Sequence, residues 1–424
     1  MTNSVTLSSV VDHVLAATVR SVCPASDLCL SALMRLRLFL QARAIGAARR
    51  FQTGLLVALS LFGAAQAQTV IDPELNESIE MIQNNQLFSV GLETTFFKPG
   101  GAGPFPVVVI NHGKSRGESR MQERSRPISA VRYFLQRGYV VVVPMRQGFS
   151  KSGGSYIGSG CNVEGNGRAQ AKDVKAVVDH VVAQPWANRD QLLILGQSHG
   201  GWTTLAFGAI NYPGVRGLVN FAGGLRQETC VAWEAGLASG AAAYAKETRQ
   251  PSLWFYGDND SFFGPGTFRP MYERYTAAGG SARLVAFGQF GNDAHSLFGS
   301  PRGAPIWQPE LSQFLQSVGL PYQPQAQYAR FAGKPVMATP APSNFANLND
   351  SSKLPFVRDS GRAGYETFLG KEQPRAFALA PSGAWGWAEG GDDPLKRALD
   401  NCNRNSKTPC RLYAVDDQVV WAPD

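Results

Sequence analysis

"LLILGQSHGGW", Leu192–Trp202, decides how this chain folds. Leu192–Leu195 is a continuous apolar run, the pattern of a strand buried on both faces of a parallel sheet. "HGGWTTLAFGAI" after it suits a helix. Between the two lies Gly-x-Ser-x-Gly, with Ser198 at its centre. A strand, a sharp turn and a helix in so few residues strain the serine's backbone, so small neighbours are required, and Gly196, Gly200 and Gly201 supply them. The helix that begins there aims its N–H groups and dipole at charge developing beside the serine. Ser198 is a candidate nucleophile.

The same five-residue frame recurs at "GKSRG", Gly113–Gly117. Its flanks are polar, and no apolar helical period starts after Gly117. It also fails as a phosphate loop, because the position five before Gly113 is Val108 rather than Gly. Ser115 therefore sits in a Gly-bearing loop after a strand, not at an elbow.

Outward from Ser198 the pattern repeats. "FPVVVINHG" and "GYVVVVPM" precede it, and "GLVNFAG", "SLWFYG" and "ARLVAFG" follow; "LETTFFKP" near Leu92 reads as an edge strand. Between the strands, Val174, Val177, Val178, Val181 and Val182 fall on one helical face within 169–183. Further helices are predicted over 132–136, 203–210, 269–278 and 309–318. Alternation of strand and helix predicts an α/β fold, a doubly wound and mostly parallel sheet with right-handed crossovers.

Four segments emerge. Residues 1–67 read as a leader, 68–320 as the catalytic domain, 321–357 as a Pro-, Ala- and Asn-rich linker or surface arm, and 358–424 as a small α+β unit. In the leader, "ARRFQTGLLVALSLFGAAQAQ" has a basic flank, a short apolar run and small residues at Ala65 and Ala67. That is the layout of a secretory signal cleaved after Ala67, with Met34 as an alternative start. The apolar run is too short for an ordinary membrane span. A periplasmic or secreted protein follows, with no stable membrane span after cleavage. The net charge of +8 gives no nucleic-acid partner: six Arg against two Asp lie in the leader, and no long basic run follows it.

A serine nucleophile needs a base held by a carboxylate. Five His are present. His13 is in the leader, His112 shapes the loop after a strand, and His180 lies on an amphipathic helix. His199 adjoins the serine and offers its backbone N–H to an oxyanion. His295, in "FGQFGNDAHSLF" after the strand "ARLVAF", remains as the base. The acid belongs between serine and histidine, where "SLWFYGDNDSFFGPG" offers Asp260, with Asp258 as the alternative. Asp293, two residues before His295, reads as a turn former.

"VVVINHGKS", "GQSHGG", "LWFYGDND" and "DAHSLF", in this order over 88–318, resemble the α/β-hydrolase superfamily. Within it they resemble the dienelactone hydrolase and prolyl-oligopeptidase-like esterase group. The resemblance implies a Ser198–Asp260–His295 triad with oxyanion N–H groups from His199 and Lys114. Dienelactone hydrolases use cysteine where this chain has Ser198, so their substrate is not carried over. The expected activity is transfer of the acyl group of a small ester to water, with no metal or organic cofactor. A peptidase or amidase on the same fold is the alternative, as is a non-catalytic envelope-binding protein. Oligomeric state is not legible. Lys114, Arg116, Arg120, Arg124 and Arg126 interleave with Glu118 and Glu123, which reads as a solvated mixed-charge face.

Export places the four cysteines after the leader where disulfides persist. Four cysteines permit three pairings. Cys402 and Cys410 flank the turn-like "NRNSKTP", so a short bridge is expected there. Cys161 and Cys230 lie in loops expected at the same carboxyl edge of the sheet, and the second bridge is expected between them.

Overall fold

Side-chain alternation on the central strand builds two cores. In β4 (Phe105–Asn111), Val107 and Val109 pack on one face of the sheet, while Val108 and Ile110 pack on the other. Both faces are covered, so the strand carries no polar side and reads as a continuous apolar run. The computed structural model describes residues 70–158, 160–226, 229–333, 337–371, 373–390 and 393–423. The leader and the expected cleavage site after Ala67 lie outside them.

The large sheet has nine strands. β1 (Val70–Asp72), β2 (Glu77–Gln83) and β3 (Gly91–Phe97) pair antiparallel, and β3 pairs antiparallel with β5 (Val140–Pro144). From β5 the sheet is parallel through β4, β6 (Ala187–Gln197), β7 (Val215–Phe221), β8 (Ser252–Tyr256) and β9 (Ala282–Ala286). α1 (Ile128–Leu135) and α6 (Ala304–Ser317) cover one face. α2 (Val163–Val182), α3 (His199–Gly208), α4 (Trp233–Glu247) and α5 (Pro265–Ala277) cover the other. This is the α/β-hydrolase fold. Strand order reverses at β4, which leaves a crevice at the carboxyl ends of the strands beside it.

"LETTFFKP" is not an edge strand. β1 and β2 extend the sheet beyond it. β2 escaped the apolar pattern because it buries a charge: Glu77 is fully covered and paired with Arg124 and Arg126, the latter at 2.6 Å. These pairs, and hydrogen bonds from Arg120 to the carbonyls of Ser152 and Gly154, absorb three of the five cations after the β4 loop. α5 and α6 begin earlier than the apolar period suggests, each carrying a proline inside the helix (Pro270, Pro309).

Residues 321–333 lie against α1 and the nine-stranded sheet. Arg137 donates to the Tyr322 carbonyl, Tyr139 donates to that of Pro321, and Phe331 is buried. A separate four-stranded antiparallel sheet follows, in the order β11 (Trp385–Glu389), β10 (Arg375–Leu379), β12 (Arg411–Val415), β13 (Gln418–Val419). α7 (Asp359–Leu369) and the aromatic residues Tyr365, Phe377 and Tyr413 fill one face. α8 (Pro394–Asn403) packs its Leu395 and Ala398 on the alanine-lined other face. Cys402 is bonded to Cys410, joining α8 to β12 with Cα atoms 6.1 Å apart.

Candidate active site

Ser198 stands between β6 and α3 with φ 57° and ψ −126°, a conformation that non-glycine residues rarely adopt. The turn is held from three sides. Ser198 donates its N–H to Phe221 of β7, and its carbonyl accepts from Trp202 and Gly224. Close approach explains the neighbouring glycines: a Cβ on Gly200 would lie 2.0 Å from the Asn111 carbonyl oxygen, and one on Gly196 would lie 2.2 Å from that of Gly200.

The loop after β4 closes against this turn. A Cβ built on Gly113 would sit 3.2 Å from Ser198 Cβ, so the Gly113–Lys114 peptide lies beside the serine. Neither the Lys114 nor the His199 backbone N–H has an acceptor among the described residues. The Lys114 ammonium is held within its own loop by the carbonyls of Ser115 and Gly117.

Asp260 follows β8 and is buried. Its Oδ1 accepts from the Phe262 and Phe263 N–H groups at 2.8 and 2.9 Å, and both oxygens face His295 Nδ1 at 3.1 and 3.0 Å. Burial pushes its pKa up. The His295 hydrogen bond and charge, with the two N–H donors, outweigh that and hold the carboxyl below its usual range. Asp258 is exposed, so of the two acids it is Asp260 that meets the histidine. Asp293 accepts from the His295 N–H and from Ser261, tying the histidine loop to the acid loop. Gln197, next to the serine, donates to the His295 carbonyl at 3.2 Å. Phe262 and Phe263 flank the imidazole, with ring centroids 4.6 and 5.7 Å away.

The other histidines have different environments. His112 is buried; its Nδ1 donates to the Gly113 carbonyl at 2.6 Å and its Nε2 accepts from the Arg146 N–H at 3.2 Å. His199 is buried and donates from Nε2 to Asn166 at 2.8 Å. Burial and the nearby Arg146 charge hold both rings well below the ordinary histidine range, so they are neutral. His180 faces Glu80 at 2.9 Å on the surface.

Sequence reasoning missed Arg146. Its guanidinium is fully buried, donates to the His112 carbonyl at 2.8 Å and to Gln170 at 2.8 Å, and is pushed down to about 10 by burial. It braces the loop beside Ser198 from behind. A lone Arg after a strand carries no periodic signal, which is why nothing in the sequence marks it.

Cys161, just before α2, is bonded to Cys230, just before α4, with Cα atoms 5.3 Å apart. Trp233, three residues on, packs edge-on against Phe263. No cluster of His, Cys, Asp and Glu able to hold a metal occurs among the described residues, and none of their helices is long and apolar enough to cross a membrane.

Residues 89–278 match the X-Pro dipeptidyl-peptidase (S15) family. Among curated proteins, none matches the sequence significantly. Three solved structures illustrate the structural likenesses. A Klebsiella pneumoniae protein described as a dienelactone hydrolase is 20% identical, with a TM-score of 0.42 over 57% of this chain and 99% of that one. A puromycin-hydrolyzing peptidase from Mycobacterium tuberculosis is 18% identical, with a TM-score of 0.45 over 59% of this chain and 41% of that one. The Pyrococcus furiosus esterase Pf2001 is 15% identical, with a TM-score of 0.41 over 57% of this chain and 94% of that one. At these values the likenesses are weak, and the strand order above carries the fold.

Proposed function

We propose that this chain, a member of the α/β-hydrolase superfamily, is an exported serine hydrolase that cleaves carboxylic esters through an acyl-enzyme on Ser198. The observation that supports this most is the pairing of a strained strand–helix serine with a histidine whose Nδ1 faces a buried carboxylate. With Nδ1–H directed at Asp260, the lone pair of His295 is on Nε2, the nitrogen that takes the serine proton. Ser198 Oγ attacks the ester carbonyl, and the N–H groups of His199 and Lys114 receive the oxyanion. His295 then returns the proton to the leaving alkoxide, and water repeats the sequence to release the acid.

The match to a peptidase family favours a second reading, amide or peptide cleavage by the same groups. A third reading, an envelope-binding protein without activity, is separated from both by chemistry. A fluorophosphonate probe is expected to label the protein at Ser198, and Ser198→Ala to abolish labelling while Ser115→Ala does not. Kcat on a matched ester is expected to fall by roughly 10⁶-fold in Ser198→Ala, the scale of serine proteases. Matched ester and anilide substrates then divide the two catalytic readings. Labelling that survives Ser198→Ala overturns the assignment. Two disulfides, and the small-residue cleavage site expected after Ala67, support export to the periplasm or beyond.

A further inference from the structure

One side chain brackets the backbone on both sides of Lys114. Gln122 Nε2 donates to the Gly113 carbonyl at 3.2 Å, and Gln122 Oε1 accepts from the Ser115 N–H at 2.9 Å. A carbonyl can only accept and an N–H can only donate, so the two contacts fix which way round the amide sits. Lys114 lies between them, and its own N–H has no acceptor among the described residues.

The direction of that N–H follows from its peptide. In a planar trans peptide the C=O and the N–H point opposite ways. The Gly113 carbonyl faces Gln122 and, at 2.6 Å, His112 Nδ1. Arg146 donates its N–H to His112 Nε2, so the ring proton is on Nδ1 and this second donor is fixed as well. The Lys114 N–H therefore points away from both side chains. Gly113 itself lies against the nucleophile, with its notional Cβ 3.2 Å from Ser198 Cβ. Gln122 is anchored from outside the site. It follows the 3₁₀ turn Ser119–Met121 and donates its N–H to the Ser119 carbonyl at 3.1 Å. Ser119 Oγ donates to the Gly148 carbonyl at 2.9 Å, which fastens the turn to the loop after β5.

We infer that Gln122 is a positioning residue for hydrolysis, whose amide holds the Gly113–Lys114 peptide in the orientation that offers the Lys114 N–H to the oxyanion. This role presupposes acyl transfer at Ser198. An aligned N–H stabilises the oxyanion more than the ground-state ester, whose carbonyl oxygen carries less charge. Loss of Gln122 is therefore felt in kcat and not in KM. Outright removal of one oxyanion donor lowers kcat by about 10²–10³-fold. His112 still holds the carbonyl when Gln122 is gone, so a smaller fall of roughly 10- to 100-fold is expected.

Gln122→Met removes both contacts. Gln122→Glu keeps the acceptor for Ser115 but sets a carboxylate oxygen against the Gly113 carbonyl, so it is expected to lose at least as much. Gln122 is partly exposed, and both variants are expected to melt with the parent. Met121→Ala is the control on the same turn, since Met121 is 80% exposed; its kcat is expected to match the parent's. Hydrolysis of p-nitrophenyl acetate by the full chain gives kcat and KM, and the rate of fluorophosphonate labelling gives a second readout, because charge builds on the phosphoryl oxygen in the same place. Both rates are expected to fall in the Gln122 variants with KM unchanged. Parental rates in Gln122→Met, a loss carried wholly by KM, or an equal loss in Met121→Ala overturns the role of Gln122 while leaving Ser198 in place. A parent that neither hydrolyses the ester nor takes the label overturns acyl transfer at Ser198, and this role with it.

Discussion

Gly200 has no room for a methyl group. The nearest atoms are the Asn111 and His112 carbonyl oxygens, at 2.0 and 2.6 Å from a Cβ placed there, and both belong to the backbone at the end of β4. Backbone cannot rotate away as a side chain end can, so Gly200→Ala must push α3 off the sheet or shift the β4 loop. Destabilisation by about 3 kcal/mol is expected from such overpacking. Activity is expected to fall further than stability, because the two N–H groups assigned to the oxyanion lie on the parts that move. Gly266 is the control. It lies in the first turn of α5 with nothing within 4 Å of a Cβ. Gly266→Ala should gain up to about 1 kcal/mol from helix propensity. Urea midpoints of the two variants measure both effects, and a parental midpoint in Gly200→Ala would refute the crowding argument.

Among elements, the two bridges act on different distances. Cys161–Cys230 spans 69 residues and Cys402–Cys410 spans 8. On chain entropy the first contributes about 4 kcal/mol and the second about 2.5 kcal/mol. The first also has a route to the site: Cys230 leads to Trp233, whose ring packs on Phe263, which in turn flanks His295. Breaking it with Cys161→Ser and Cys230→Ser together is expected to lower Tm and raise KM. The Cys402→Ser/Cys410→Ser pair should lower Tm by less and leave KM alone. Intact mass of secreted material, expected to begin at Gln68 with both bridges closed, checks that the bridges form in the exported chain. An unchanged KM in the first pair removes the link between bridge and cleft.

Element by element, legibility followed burial. β4, β5 and β8 read clearly because both their faces are covered and almost all their residues are apolar. β2 did not, because Glu77 is buried on it and neutralised by Arg124 and Arg126, a pairing with no local sequence signal. α4 is illegible for another reason: its buried face is mostly Ala and Gly, which carry little hydrophobic contrast, and α7 is short, with Gly361 and Gly364 on the buried face beside Tyr365 and Phe368. At the site, the scarcity of histidine made His295 legible, and the Gly-rich frame marked Ser198. The sequence favours Asp260 and keeps Asp258 as the alternative, because spacing does not encode the direction in which each side chain leaves the loop.

For the whole molecule, two neutral histidines make stability depend on pH. His112 and His199 are fully covered and held well below their ordinary value of 6.5. The unfolded chain takes up a proton at each as pH falls through 6.5, and the native chain does not. Their contribution is therefore fully present above 6.5 and is lost progressively below it, down to the folded values. Each adds a slope of up to about 1.4 kcal/mol per pH unit, so the pair approaches about 2.7 kcal/mol per unit. Asp173 and Asp416 work the other way: burial raises both, so the native state protonates before the unfolded one does. Each therefore offsets part of the histidine loss as pH falls through its raised value toward 3.8. Asp260, held low by His295, joins the loss only as pH falls below 3.8. Unfolding free energy from urea titrations at pH 7.5, 6.5 and 5.5 is expected to decline steadily, with most of the loss below 6.5. His199→Asn should flatten that slope by about half, since asparagine does not titrate. A free energy of unfolding that stays level from pH 7.5 to 5.5 would refute the assignment of both rings as neutral in the native state at these pH values.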